Sequence, residues 1–199
     1  MLAPDKQQIA TAIRALERGG VVLMPTDTIY GLHAIANNAD AIERIVEIKG
    51  RSEEKSFVVI GASIAQLESH GCVFSKHARA VVEELWPAPL TAIVALRTKI
   101  AASRGATTLA VRVPALQWLR ELLEQTGPLA STSANRSGEP PLVDPKSISF
   151  SGLDAVIDLG PKNGKPSTIV DFTGDEPRLI REGEPFFTQK VWKTLRKSL

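Results

Sequence analysis

The chain has 199 residues, enough for one domain that buries roughly 70% of its unfolded surface. Its 43% hydrophobic and 23% charged residues are ordinary for a soluble globular protein, and a net charge of +2 does not announce a nucleic-acid binder. Cys72 is the only cysteine, which excludes an internal disulfide and a thiolate metal cluster. The start MLAPDKQQ has no secretory pattern, and no apolar run approaches the roughly 18 residues of a membrane span, so a soluble cytoplasmic protein is expected.

In chain order, Asp5 is placed to cap a helix whose apolar positions are Ile9, Ala12, Ile13 and Leu16, and Gly19-Gly20 ends it. Val21–Met24 reads as a short buried strand that Pro25 stops. Thr26-Asp27-Thr28 then sets small polar groups at its edge, where open α/β sheets bind ligands. Asp40 is expected to cap a second helix with Ile42, Ile45, Val46 and Ile48 inward, delivering Lys49, Arg51 and Lys55 at and beyond its end. Further strands are predicted at Phe57–Ile60, Thr91–Leu96, Thr108–Val113, Leu129–Ser131, Asp154–Leu159, Ser167–Phe172 and Leu179–Arg181. Helices are predicted near Ile64–Glu68, Lys76–Leu85 and Leu116–Glu124. A last one, at about 187–197, should bury Val191, Trp192 and Leu195. Strands alternating with helices predict an α/β sheet, and no linker is long enough to split the chain.

Several chemistries lack their signatures. Gly160-Pro-Lys-Asn-Gly164-Lys165-Pro166 is not a P-loop, no GxGxxG follows a strand, and His33, His70 and His77 have no partners at metal-ligand spacing. Ser52-Glu-Glu-Lys55 has the form SxxK of some acyl-transfer enzymes, without a second motif to support it. What remains is a set of hydroxyls and cations at strand ends: Thr26 and Thr28, Arg112, Ser131 to Ser133 with Asn135, Ser167 and Arg181. Hydroxyl and amide groups donate to phosphate or carboxylate oxygens without ionising, Arg adds a bidentate fork and Lys a compact charge. Such a set suits a polyphosphate plus a carboxylate.

Blander readings exist for parts of it. Lys49 and Arg51 could be an ordinary solvated helix end, and Thr26-Asp27-Thr28 or STSAN a turn satisfying its own backbone. Arg112 resists that treatment, because a strand of Ala110, Val111 and Val113 must supply it with a partner.

The ordered motifs PTDTIYGL, IKGRSEEKSF, TLAVRVP, STSANRSGEP, PSTIVDFTG and IREGE resemble those of the YrdC-domain family over roughly residues 5 to 185. Members with this arrangement are L-threonylcarbamoyladenylate synthases. The resemblance implies a single domain with a twisted mixed α/β sheet, flanking helices and a concave basic cavity, in the short form without an added C-terminal domain. It implies a nucleotidyltransferase that joins L-threonine, bicarbonate and ATP, with Mg²⁺ on the nucleotide, into threonylcarbamoyl-AMP and pyrophosphate. That product feeds modification of tRNA adenosine beside the anticodon, so tRNA and the downstream threonylcarbamoyl-transferase proteins are implied partners.

By position, the resemblance assigns the triphosphate to Lys49, Arg51 and Lys55, with Lys49 and Arg51 acting electrostatically and no discrete base. Thr108, Ser133, Asn135 and Arg181 complete the implied nucleotide site. Thr28, Arg112, Ser131 and Ser167 fall where the family grips the amino acid, Arg112 on its carboxylate. The chain departs from the family pattern at Ser52, at Ser56-Phe57, at Ile60, and at His33, where glycine is usual. Two rival classes are a non-catalytic RNA-binding module of the same fold and an acyl-transfer hydrolase built on Ser52 or Ser133.

Overall fold

The structure, a computed structural model, describes residues 3–50, 56–135, 143–147 and 150–198. Arg51, Ser52 and Lys55 therefore lie outside the described residues.

Helix α1 (Lys6–Glu17) begins with a capping box: Asp5 accepts from the Gln8 amide and the Gln8 side chain accepts from the Asp5 amide. Strand β1 runs Val22–Pro25 and pairs antiparallel with β2 (Tyr30–Ile35). Two expectations are corrected here. Pro25 does not stop the pairing; it lies opposite Tyr30 as the last residue of β1, since proline keeps its carbonyl. The stretch after it is a hairpin turn closed by Thr26 N–H to the Ile29 carbonyl, and it leads into β2, a strand missing from the expected elements. The pattern of β2 was hard to read because Tyr30, Leu32 and Ala34 on one face alternate with Gly31 and His33, which are also buried.

Asn38, not Asp40, caps α2 (Ala39–Lys49): its side chain accepts from Ala41 N–H, leaving Asp40 in the first turn beside the positive helix end. Gly50 ends α2 at φ +57°, a left-handed position that leaves Lys49 as the final helical residue. There follow β3 (Val58–Ile60), α3 (Ile64–Ser69), β4 (Cys72–Val73), α4 (Lys76–Leu85) and β5 (Leu90–Leu96). After them come β6 (Thr108–Arg112), α5 (Gln117–Thr126), β7 (Leu129–Ser133), β8 (Ala155–Val156), β9 (Thr168–Asp171), β10 (Arg178–Arg181) and α6 (Pro185–Ser198). The strand expected over Asp154–Leu159 shortens to two residues, and that over Leu129–Ser131 extends to Ser133.

Among the described residues the strands form one mixed sheet in the order β10-β9-β5-β6-β3-β7-β2-β1-β8, with β4 also pairing β5. The pairs β1–β8, β3–β6 and β5–β9 are parallel and the others antiparallel. Side chains alternate between two apolar layers. One layer gathers Leu23, Leu32, Val59, Leu109 and Val111 with α2, α4 and α6. The other gathers Val22, Met24, Ile60 and Leu129 with α1 and α5. Trp192 does not join the core; at 41% exposure it sits on the flank of α6 while Val191 and Leu195 point inward. No described helix is long and apolar enough to cross a membrane.

Candidate functional site

Arg112 is the last residue of β6, and strand alternation sends it to the face opposite its neighbour Val111, which is in the core. Its side chain is buried, and Nη1 donates to Thr28 Oγ1 at 3.0 Å while lying 3.5 Å from Asp27 Oδ1. Both partners come from the β1–β2 turn. Thr26 donates its one hydroxyl proton to the Ile29 carbonyl at 3.0 Å, so in the 2.8 Å contact between Thr26 and Thr28 the donor is Thr28. The turn thus forms a directed chain, Arg112 to Thr28 to Thr26 to backbone, that fixes the guanidinium.

A cavity of about 310 Å³ opens beside this group, within the range of small-ligand sites. It is lined by residues from both turn and sheet: Thr28 and Tyr30, Arg112, Ser131 and Ser133 from β7, Asn135, Ser167 and Arg181. Ser131 and Ser133 share a face because they are two apart on β7, and they oppose His33 and Gly31 on β2. Arg181 closes β10 and donates from Nε to the Ser167 carbonyl at 3.0 Å and from Nη2 to Ser167 Oγ at 3.2 Å. Ser167 Oγ also meets Thr91 Oγ1 at 2.7 Å. Burial first, and then the like charge of Arg112, lower the proton affinity of Arg181 from its usual value. Two guanidinium groups share the hollow, and no carboxylate is among its described lining residues, so an anion is the complementary occupant.

Seven of the eleven residues assigned by resemblance line this cavity: Thr28, Arg112, Ser131, Ser133, Asn135, Ser167 and Arg181. Lys49 reaches its wall from behind. It is only 4% exposed, and Nζ donates to the Ser133 carbonyl at 2.5 Å and the Asn135 carbonyl at 2.8 Å, so the reading of Lys49 as a solvated helix end fails. Thr108 starts β6 opposite Ala95, on the same strand face as Arg112 but four residues away and outside the lining. Arg51 and Lys55 fall outside the described residues. Tyr30, Ser56 and Pro166 line the cavity without having been assigned a part. Tyr30 was detectable in principle, as the register partner of Pro25 across a hairpin.

His33, at the position where the resembled family has glycine, is fully buried. Desolvation, against a weaker pull from the Met24 carbonyl, drops its pKa to about 3. Nε2 lies 3.3 Å from that carbonyl and so carries the proton, while Nδ1 has no hydrogen-bond partner. A Cβ on Gly31 would come within 2.8 Å of His33 Nε2, so the ring packs directly under a glycine of the cavity lining.

The sequence-family model for Sua5, YciO and YrdC, described as "Telomere recombination", matches residues 14–183. A threonylcarbamoyl-AMP synthase of Nitrosococcus oceani is 37% identical over 177 residues, covering 85% of this chain and 96% of its own. The Sua5 protein of P. abyssi, solved as a complex with L-threonine, is 31% identical with a TM-score of 0.85 and matches 94% of this chain. This chain spans 58% of that longer protein. YciO of E. coli superposes with a TM-score of 0.81 at 26% identity, with 92% of both chains covered.

Proposed function

The chain belongs to the Sua5–YciO–YrdC family, and from that premise we propose that it joins L-threonine, bicarbonate and ATP into threonylcarbamoyl-AMP, releasing pyrophosphate. The observation that carries the reading is the convergence of Arg112, Arg181 and the hydroxyls of Thr28, Ser131, Ser133 and Ser167 on one hollow from segments far apart in sequence. Arg112, held by Thr28 and Asp27, takes the threonine carboxylate, with Ser131 and Ser167 beside it. Ser133, Asn135 and Arg181 face the nucleotide, with Thr108, Arg51 and Lys55 assigned to it by resemblance. Lys49 acts by fixing the wall that carries Ser133 and Asn135.

Threonine carbamate is unstable and dilute, so holding it against the α-phosphate supplies much of the rate. The carbamate oxygen is itself the nucleophile: it bonds to the α-phosphorus as the bond to the pyrophosphate oxygen breaks. The charge then building on phosphoryl oxygens is met by fixed guanidinium and ammonium groups. Mg²⁺ accepts only hard oxygen ligands. The described lining offers hydroxyl and amide oxygens but no carboxylate, so Mg²⁺ would be held chiefly by the triphosphate oxygens, whose charge it would screen. The product's use in tRNA modification, and contact with tRNA or downstream transfer proteins in the cytoplasm, belong to the same proposal.

The test is pyrophosphate release by the purified chain. Release should require threonine and bicarbonate together and be removed by Arg112→Ala and by Arg51→Ala. Salt-sensitive RNA binding without turnover would instead favour the RNA-binding module, and ester cleavage without ATP the hydrolase.

A further inference from the structure

Ser167 reaches the cavity on the segment 160–167, where Gly164 lies so close to the Thr28 carbonyl that a side chain would not fit. Behind Ser167 stands Thr91 of β5, which is fully buried and lies outside the lining. Its neighbours Leu90 and Ala92 belong to the core layer with α2, α4 and α6. Strand alternation therefore turns Thr91 to the other face, and because Ala92 pairs with Val111, that face is the one carrying Arg112. There Thr91 Oγ1 and Ser167 Oγ meet at 2.7 Å. Among the described residues, Thr91 Oγ1 makes no other hydrogen bond.

A hydroxyl has one proton and two lone pairs. Were Ser167 the donor, the Thr91 proton would be sealed from water with nothing to accept it, which costs more than the bond returns. Thr91 is therefore the donor. Ser167 Oγ also accepts from Arg181 Nη2 at 3.2 Å, so both of its lone pairs are taken. Its own proton has no acceptor among the described residues, and the cavity is the space left for it. Thr28 is set the opposite way: it donates to Thr26 and accepts from Arg112, and keeps no proton for a ligand.

We infer that Thr91 is a positioning residue: from behind the cavity its hydroxyl holds Ser167 as a proton donor aimed at an anionic oxygen of the amino-acid substrate. Two donors on one oxygen, one of them a guanidinium, also strengthen the bond that this oxygen donates in turn. The proton direction stands on the buried geometry alone, and its use for threonine rests on the synthase reading.

Two measurements on the full chain test this. In the free protein, proton NMR should show the Thr91 hydroxyl proton exchanging slowly, with nuclear Overhauser contacts to the Ser167 β protons. That resonance should vanish in Ser167→Ala. A Thr91 hydroxyl proton that is absent from the wild type, that persists in Ser167→Ala, or that is replaced by a protected Ser167 hydroxyl proton overturns the inference whether or not the chain is a synthase. In pyrophosphate release, Thr91→Val should raise the KM for threonine about fivefold while kcat changes by less than about twofold. Thr91→Ser, which keeps the hydroxyl, should bring the KM back toward the wild-type value. In a Ser167→Ala background Thr91→Val should add no further rise, because its hydroxyl acts only through Ser167. An additive rise in that background, or a Thr91→Val protein with an unchanged KM, overturns the positioning role. A chain that releases no pyrophosphate under any condition sinks the synthase reading and leaves the NMR pattern to decide the proton direction.

Discussion

The Arg112 guanidinium lies 3.5 Å from the Asp27 carboxylate, with both side chains at most 5% exposed. A buried charge left without its partner costs far more than the pair contributes, about 3–5 kcal/mol. Arg112→Ala should therefore lower unfolding free energy by about that amount, while Arg112→Lys, which keeps the charge but not the fork, should lose less. Urea titration of the two variants makes the comparison; equal losses would show that charge pairing is not what holds Arg112.

Lys49→Met keeps the aliphatic stem and removes the donors to Ser133 and Asn135. Hydrogen bonds from a charged group contribute about 1.5–3 kcal/mol each. Denaturation should report a loss of about 3 kcal/mol, and nucleotide affinity should fall with it as the wall carrying Ser133 and Asn135 relaxes. A variant of full stability with weakened nucleotide binding would show instead that Lys49 acts on the ligand directly.

The folded protein keeps His33 neutral, with a pKa near 3, whereas an unfolded histidine titrates near 6.5. The unfolded state binds the extra proton below that value. Stability contributed by neutral His33 is thus fully present above about pH 6.5 and is lost as pH falls toward 3, by up to about 1.4 kcal/mol per unit. Urea unfolding at pH 7.5, 6 and 5 should show this slope in the wild type and a shallower one in His33→Gln.

Asp154 Oδ2 accepts both from Val21 N–H at 2.7 Å and from Arg44 at 2.8 Å. Val21 is fully buried, whereas the ion pair is 38% exposed on each side. Arg44→Ala should cost at most about 1 kcal/mol, and Asp154→Ala about 1–3 kcal/mol because it strands a buried amide. Thermal melts of the two single variants read the difference, which should persist at high salt.

Gly164→Ala puts a methyl group into the Thr28 carbonyl, so the segment must move. The KM for threonine should rise about tenfold or more while the urea midpoint changes little. A midpoint loss with an unchanged KM would mean that the contact is structural only.

Much of this molecule was legible in the linear chain. The cap at Asp5, the helical spacing of Ile9, Ala12 and Leu16, and the buried strand at Val22 are local properties, set by residues within a turn or two of each other. So was the need of Arg112 for a partner, because a guanidinium among Ala110, Val111 and Val113 has no other means of staying inside. Tertiary structure alone decided who that partner is: Asp27 and Thr28 lie more than eighty positions away, and only the pairing of β6 with β3, β3 with β7, and β7 with β2 brings them within reach. It also turned Lys49 from a surface helix end into a buried brace, since which side of α2 meets β7 depends on the sheet order. Local chemistry fixes which groups exist and how they are spaced along each element; the non-local pairing of strands fixes which of them share a hollow, and no short-range pattern encodes that.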